Sequence, residues 1–204
     1  MYLRRGRLNA FEAFDPLHTA LVVVDLIQHF ADDGSETLRI VENVNQLAAV
    51  LRCGGGTVGW VRPHPSTYTE LLEAVIGAES ASHHRAATTD GHSGSVLHPG
   101  LEVLPGDIHT YKTGYSAFFP GACDLAERLA ARRVDTVLIA GAVSNVCCEA
   151  SARDAFSRGY RVVMLADANL GRKAEHLAAL ASIYRNFGDV RTVEEIATLI
   201  SSVC

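Results

Sequence analysis

A carboxylate, an ammonium and a thiol are spaced along this chain so that they could act together: Asp25, Lys112 and Cys147. A cysteine in the first turn of a helix lies near the positive end of that helix, which favours the thiolate. Asn145 is a residue type that caps helices and precedes Cys147 by two positions, so it predicts such a helix start. Lys112 would favour the thiolate further, Asp25 could carry the thiol proton to a leaving amine, and N–H groups at the helix start could bind an oxyanion. These groups predict acyl transfer from an amide-like carbon.

Each of the three residues also has an ordinary explanation. An aspartate at a strand end is often a turn or helix cap, a buried cysteine in an α/β core is usually inert, and a lysine is usually solvated. Of the 18 lysines and arginines, however, only Lys112 and Lys173 are lysines. A lysine kept at a strand end in such a composition is therefore more informative than an ordinary surface lysine.

The elements that must position these groups follow from an alternation of apolar runs and helical patterns. Most apolar runs are continuous, which is typical of strands buried on both faces of a parallel sheet. The alternation predicts βαβ units in an α/β three-layer, Rossmann-like fold with a mainly parallel six-stranded sheet. The predicted strands are 20–25, 57–61, 108–111, 136–141, 162–167 and 189–191. The predicted helices are 38–52, 68–76, 121–132, 145–158, 173–187 and 193–201.

Ligands of open parallel sheets bind at the carboxyl ends of the strands. Asp25, Lys112 and the segment 141–147 all lie where a predicted strand ends, so we expect them at one rim of the sheet. The segment 79–106 interrupts the alternation, has no clear period and contains four histidines (His83, His84, His92 and His98). We expect it to be an irregular active-site wall or lid.

Composition predicts one domain, 1–204, with a solvated N-terminal arm at 1–17 that carries Arg4, Arg5 and Arg7. The net charge is −5 and no long basic run is present, so nucleic-acid binding is not expected. The longest apolar runs are far shorter than the roughly 20 residues of a membrane span, and no secretory signal is evident. The five cysteines form no CxxC, and we expect a reduced, cytoplasmic protein with free thiols.

The local sequences around these residues resemble those of one family. The segments VVVDLIQHF around Asp25, YKTGYSAFF around Lys112 and LIAGAVSNVCCEASARDAFSRGYRVVMLADA around Cys147 resemble the isochorismatase-like cysteine hydrolases, as does EHLAALASIYRNFGDVRTVEEI. The likeness runs in order over residues 19–200, and 141–155 is its most specific part. It implies a parallel six-stranded sheet flanked by helices.

The resemblance also implies roles for individual residues. Asp25, Lys112 and Cys147 match the catalytic triad of the family, while Cys148 replaces a common valine and is expected to pack in the core. The resemblance places a cis peptide at Ala142–Val143 and assigns the oxyanion hole to the N–H groups of Val143 and Cys147. It implies a small-molecule substrate, no cofactor and a homodimer or homotetramer.

One departure concerns metal binding. Nicotinamidases of the family hold a metal through an Asp-x-His motif, whereas the corresponding segment here reads WVRPHP, with His64 but without the aspartate. We therefore expect no metal site, and nicotinamidase activity is disfavoured. We also expect the histidines of 79–106 to be ordinary surface residues.

The substrate expectations follow from the retained cysteine. The retained Cys147 disfavours a true isochorismatase and points to a C–N bond, and the resemblance is nearest to the N-carbamoylsarcosine amidohydrolase type. In that branch Arg172 matches an arginine that binds the substrate carboxylate, and the alternative is a solvated loop arginine. Phe30, Tyr115 and Phe119 are candidate pocket walls, and Phe118 is either wall or core. Arg62 faces either the site or the surface. Two alternatives stay open: vinyl-ether hydrolysis with a bystander cysteine, and a catalytically silent protein that binds a small molecule or a partner.

Overall fold

The computed structural model describes residues 6–32 and 34–201 of the chain. Within these residues six strands form one sheet in the order β3-β2-β1-β4-β5-β6, and all five pairings are parallel. The predicted parallel six-stranded sheet is therefore confirmed. The strands are β1 (Thr19–Val24), β2 (Thr57–Pro63), β3 (Ile108–Lys112), β4 (Thr136–Ala142), β5 (Arg161–Leu170) and β6 (Asp189–Arg191).

Helices cover both faces of the sheet. Alternate residues of β1 point to opposite faces, so Leu21 and Val23 belong to one hydrophobic core and Val22 and Val24 to the other. The first core is closed by α1 and α7, and the second by α4, α5 and α6. The predicted three-layer arrangement is confirmed. The helices are α1 (Ser35–Cys53), α2 (Glu70–Ile76), α3 (Ala78–Ala87), α4 (Leu125–Ala131), α5 (Glu149–Ser157), α6 (Lys173–Asn186) and α7 (Val193–Ser201).

The strand order places a switch point between β1 and β4. The chain runs outward from β1 to β3 and then returns to β4 on the other side of β1. Helices that leave neighbouring strands in opposite directions open a crevice at such a point, where α/β proteins bind their ligands. The residues that follow β1 and β4 lie side by side there, because Val24 pairs in register with Gly141.

The prediction of an irregular segment over 79–106 is wrong in its first part. Residues Ala78–Ala87 form the helix α3, and a 3-10 turn covers Ser93–Ser95. Only Ala81 and Ala87 of α3 are buried. A helix that buries two alanines shows no apolar periodicity in its sequence, which is why the pattern missed it.

The N-terminal arm is also less solvated than predicted. Arg4 and Arg5 lie outside the described residues, and Arg7 is exposed. The following residues pack on the sheet edge, where the N–H groups of Ala10 and Phe11 donate to the carboxylate of Asp189 at 2.7–2.9 Å. Among the described residues, no helix is both long enough and apolar enough to span a bilayer.

Candidate active site

Asp25 is the first residue after β1, and its backbone is held in a left-handed turn. Its φ of 53° lies in a region that aspartate tolerates better than most residues, and its N–H donates to the carbonyl of Val61 at 2.8 Å. Gly141 lies against this turn with φ at 124°, and an added Cβ would come within 1.9 Å of the Val24 oxygen. The close approach of β1 and β4 therefore requires glycine at position 141.

Lys112 ends β3 and is buried beside Asp25. Its Nζ lies 2.8 Å from Oδ2 of Asp25 and donates to the carbonyl of Gly114 at 2.9 Å. The same Nζ lies 3.5 Å from Sγ of Cys147. Because Asp25 and Lys112 are each about 1% exposed, this ion pair is shielded from water and salt. The structure thus brings together the three residues selected from the sequence.

Cys147 lies in a helix start that differs from the predicted one. After the cis peptide Ala142–Val143, residues Ser144–Cys148 form a π-helical turn that continues into α5. Asn145 is exposed within that turn and does not cap it, so the predicted cap is wrong. Ser144 anchors the turn instead, because its Oγ donates to the carbonyl of Leu170 at 3.0 Å. Cys148 is fully buried in the core, as expected.

The protonation of the cluster follows from its burial. Burial and the charge of Asp25 raise the pKa of the Cys147 thiol, and the opposing effect of Lys112 is smaller. Burial raises the pKa of Asp25 as well, although Lys112 and the thiol counteract it. Burial alone would lower the pKa of Lys112, but the charges of Asp25 and Cys147 outweigh it and raise that pKa. The raised pKa keeps the Cys147 thiol protonated at rest, although the helix start and Lys112 are expected from the sequence to favour the thiolate.

The cluster opens into a cavity of about 210 Å³. Phe30 and Tyr115 line it, at the positions expected of them. Val143 and Cys147, the residues assigned to the oxyanion hole, line it as well. The remaining lining residues are Asp25, Pro63, Thr67, Tyr68, Ile76, Ser80, His84, Lys112, Ala142 and Val146.

Two of the candidate substrate-binding residues do not line this cavity. Phe119 is 62% exposed and borders a separate surface depression beside Tyr115, because the turn after β3 directs Phe118 into the core and Phe119 outward. The Arg172 side chain is 89% exposed beside Glu175, at the residue that directly precedes α6. Phe119 and Arg172 therefore lie outside the described lining of the cavity, and a role for either in substrate binding stays a prediction.

Arg62 is absent from the cavity lining among the described residues. Its guanidinium lies over the ring of Tyr111, 4.3 Å from the centroid, and donates to the carbonyl of Ser95 at 3.4 Å. These contacts direct the guanidinium towards Tyr111 and Ser95.

Sequence reasoning missed Tyr68 and His84 as cavity residues. Their rings stack with centroids 5.5 Å apart, and Nδ1 of His84 lies 2.6 Å from Nε2 of His29. Burial lowers the pKa of His84, and burial with the nearby histidines lowers the pKa of His29 to about 4. The expectation that His84 is ordinary surface is wrong. Its spacing of four residues from Ser80 on α3 is the signal that could have placed both on one wall.

In the described part of the chain, no three histidine, cysteine, aspartate or glutamate side chains are arranged to hold a metal ion. His64 lies instead at the start of a 3-10 turn, with its Nδ1 2.8 Å from Oγ of Ser66.

The fold and site together define a three-layer α/β protein with an acid, a lysine and a cysteine at the switch point of a parallel sheet. Residues 19–195 match the family model described as Isochorismatase domain. An uncharacterized isochorismatase family protein of Escherichia coli O157:H7, YecD, is 32% identical over 87% of this chain and 94% of its own. The ureidoacrylate amidohydrolase RutB of Methylobacterium radiotolerans is 31% identical over 89% of this chain and 79% of its own.

A solved structure is similar over the whole fold. The cysteine hydrolase of Pseudomonas syringae pv. phaseolicola 1448A superposes with a TM-score of 0.86 and 26% identity, covering 97% of this chain and 99% of its own. The chain belongs to the isochorismatase family of hydrolases.

Proposed function

We propose that the protein is a cysteine-dependent amidohydrolase that cleaves a small amide, carbamoyl or ureido compound through a thioester. The observation that carries this proposal is the buried cluster in which Lys112 Nζ lies 2.8 Å from Asp25 and 3.5 Å from the Cys147 sulfur. The name of the RutB relative, a ureidoacrylate amidohydrolase, supports cleavage of a C–N bond. The cavity of about 210 Å³ suits a small molecule.

The first half of the reaction acylates the cysteine. The Asp25 carboxylate takes the thiol proton as the Cys147 sulfur attacks the carbonyl carbon, so that a C–S bond forms and the carbonyl electron pair moves to oxygen. The oxyanion is stabilised by the N–H groups of Val143 and Cys147. When the intermediate collapses, the C–N bond breaks and the nitrogen leaves with the proton held by Asp25.

The second half hydrolyses the thioester. Asp25 removes a proton from water as the water oxygen attacks the thioester carbon. The C–S bond then breaks, and Asp25 returns the proton to the departing sulfur. Lys112 stays protonated throughout. Its charge stabilises the transient thiolate and lowers the pKa of the buried Asp25 carboxyl against the effect of burial.

The test is ammonia release from a panel of small amides, carbamoyl amino acids and ureas, with Cys147→Ala and Cys147→Ser beside the parent. We expect at least one substrate to turn over and both variants to lose at least about 1,000-fold in kcat. A variant that keeps the parental rate of ammonia release would contradict a thioester on Cys147. A parent that releases no ammonia but hydrolyses a vinyl ether, with Cys147→Ala equally active, would favour ether hydrolysis with a bystander cysteine. A parent that binds a compound of the panel without hydrolysing any compound would favour a silent binding protein.

We also propose that the protein is cytoplasmic and forms a homodimer or homotetramer. Free thiols at Cys53, Cys123, Cys147 and Cys148 support a reducing compartment. Light scattering after size-exclusion chromatography tests the assembly.

A further inference from the structure

We infer that the cavity beside Cys147 selects uncharged substrates, namely small carboxamides or ureides with an apolar or planar remainder, and discriminates against those that carry a carboxylate. The identity of the substrate class rests on the proposed function. The charge selectivity is argued from the residues that line the cavity and is tested separately.

The formal charges in the cavity compensate each other. Among the described residues that line it, Asp25 and Lys112 are the acidic and basic side chains, and they form an ion pair at 2.8 Å. Cys147 is protonated at rest, because burial raises its pKa. The described lining of the cavity therefore offers no unpaired cation to a substrate carboxylate.

The remaining polar groups of the lining are uncharged hydrogen-bonding groups. They are the side chains of Thr67, Tyr68, Ser80, His84 and Tyr115. Burial lowers the pKa of His84, and its Nδ1 is engaged by His29 at 2.6 Å, so the ring is neutral near pH 7. Such groups bind amide, hydroxyl or ring-nitrogen functions.

The rest of the lining is apolar. Phe30, Pro63, Ile76 and Val146 border the cavity beside the aromatic rings of Tyr68 and Tyr115. Flat aromatic and aliphatic surfaces of this kind favour a planar or apolar substrate body.

The nearby arginines are held away from the cavity. The Arg172 side chain is 89% exposed, and Arg62 is stacked on Tyr111 at 4.3 Å. Arg85 donates to the carbonyl of Tyr68 at 2.7 Å and pairs with Glu73 at 3.4 Å. A carboxylate that entered the cavity would lose its hydration without gaining a guanidinium partner, which is unfavourable.

The first experiment measures charge selectivity without relying on turnover. Cys147 is alkylated with iodoacetamide or with iodoacetate, and its modified peptide is quantified by mass spectrometry. Rates are divided by those of 2-mercaptoethanol to remove the intrinsic difference between the reagents. We expect the normalised preference of Cys147 for the neutral reagent to be at least 10-fold. An equal or faster reaction with iodoacetate would overturn the inference.

A pair of variants tests whether the missing cation is the cause. Ser80→Arg places a guanidinium on the cavity wall of α3, whereas Ser82→Arg places the same charge on the exposed part of the same helix. We expect Ser80→Arg to raise the iodoacetate rate at least 10-fold and Ser82→Arg to leave it unchanged. Circular dichroism checks that both variants are folded. Equal effects of the two variants would contradict the inference, because the charge would then act through bulk electrostatics.

The substrate arm compares N-carbamoylglycine with N-carbamoylglycinamide, which have the same ureido group and differ in the carboxylate. We expect kcat/KM to be at least 10-fold higher for the uncharged compound, and a higher value for the acid would overturn the inference. If the alkylation preference is present but no compound in the full panel is hydrolysed, the proposed function fails while the charge selectivity is supported.

Discussion

Replacing Lys112 with methionine tests the central electrostatic argument about the site. Methionine fills much of the same space but removes the cation that lies 2.8 Å from the Asp25 carboxylate. Two unit charges at that distance attract by about 6 kcal/mol at an effective dielectric constant of about 20. Removal of one member of a buried pair costs about 3–5 kcal/mol in measured cases, because the other charge is left uncompensated. We therefore expect Lys112→Met to lower the free energy of unfolding by about 3–5 kcal/mol at pH 7.

The same substitution should disable Asp25 as a base. Lys112 lowers the pKa of Asp25 against the effect of burial, so its loss raises that pKa further. Asp25 then binds its proton more tightly in the folded protein than in the unfolded chain. The stability deficit is greatest above the folded pKa and shrinks as the pH falls towards about 3.9, the value of an unfolded aspartate. Activity at pH 7 should fall at least about 100-fold.

Urea unfolding between pH 4 and 8 measures the deficit, with Lys112→Met/Asp25→Asn as the control. The double variant removes both charges, so we expect its stability loss to be smaller than the sum of the two single losses. A Lys112→Met protein as stable as the parent at pH 7, or one whose deficit does not change with pH, would refute the reasoning.

Three further predictions concern other described residues. His29 has a pKa of about 4 in the folded protein against about 6.5 when unfolded, so stability should fall as the pH drops from 6.5 to 4; His29→Gln should flatten that slope in urea unfolding. Gly141→Ala should unfold the protein or lower its melting temperature sharply, because the new Cβ would lie 1.9 Å from the Val24 oxygen. A melting temperature within about 2 °C of the parent's would contradict this. Cys148→Ala should cost about 1–2 kcal/mol as a small core cavity and keep most of the activity, whereas Cys147→Ala should abolish activity; equal losses would contradict the assignment of the nucleophile.

The helix α3 shows one limit of sequence patterns. Strands such as β1 and β4 could be predicted because continuous apolar runs reflect burial on both faces, and the predicted helix 193–201 matches α7 because its apolar stripe covers the core. The helix α3 has no such stripe, since it buries only Ala81 and Ala87. A helix that contributes to a cavity wall through polar side chains therefore leaves no periodic signal.

The lining of the cavity shows a second limit. Whether Phe118 or Phe119 faces inward depends on the path of the turn after β3, and the two residues have the same type and adjacent positions. Likewise, Arg172 is directed to solvent and His84 to the cavity by the packing of α6 and α3. Side-chain direction in such connections depends on contacts between distant parts of the chain.

The sequence by itself determined the parallel sheet, the places of its six strands along the chain and the convergence of Asp25, Lys112 and Cys147 at one rim. These follow from local burial patterns and from the rule that parallel strands present their carboxyl ends on one side. Only the tertiary structure decided that the Cys147 thiol is protonated at rest and that no arginine reaches the cavity from the described residues. The physical reason is that protonation and charge pairing depend on desolvation and on distances of a few ångströms, which are set when separate elements pack together.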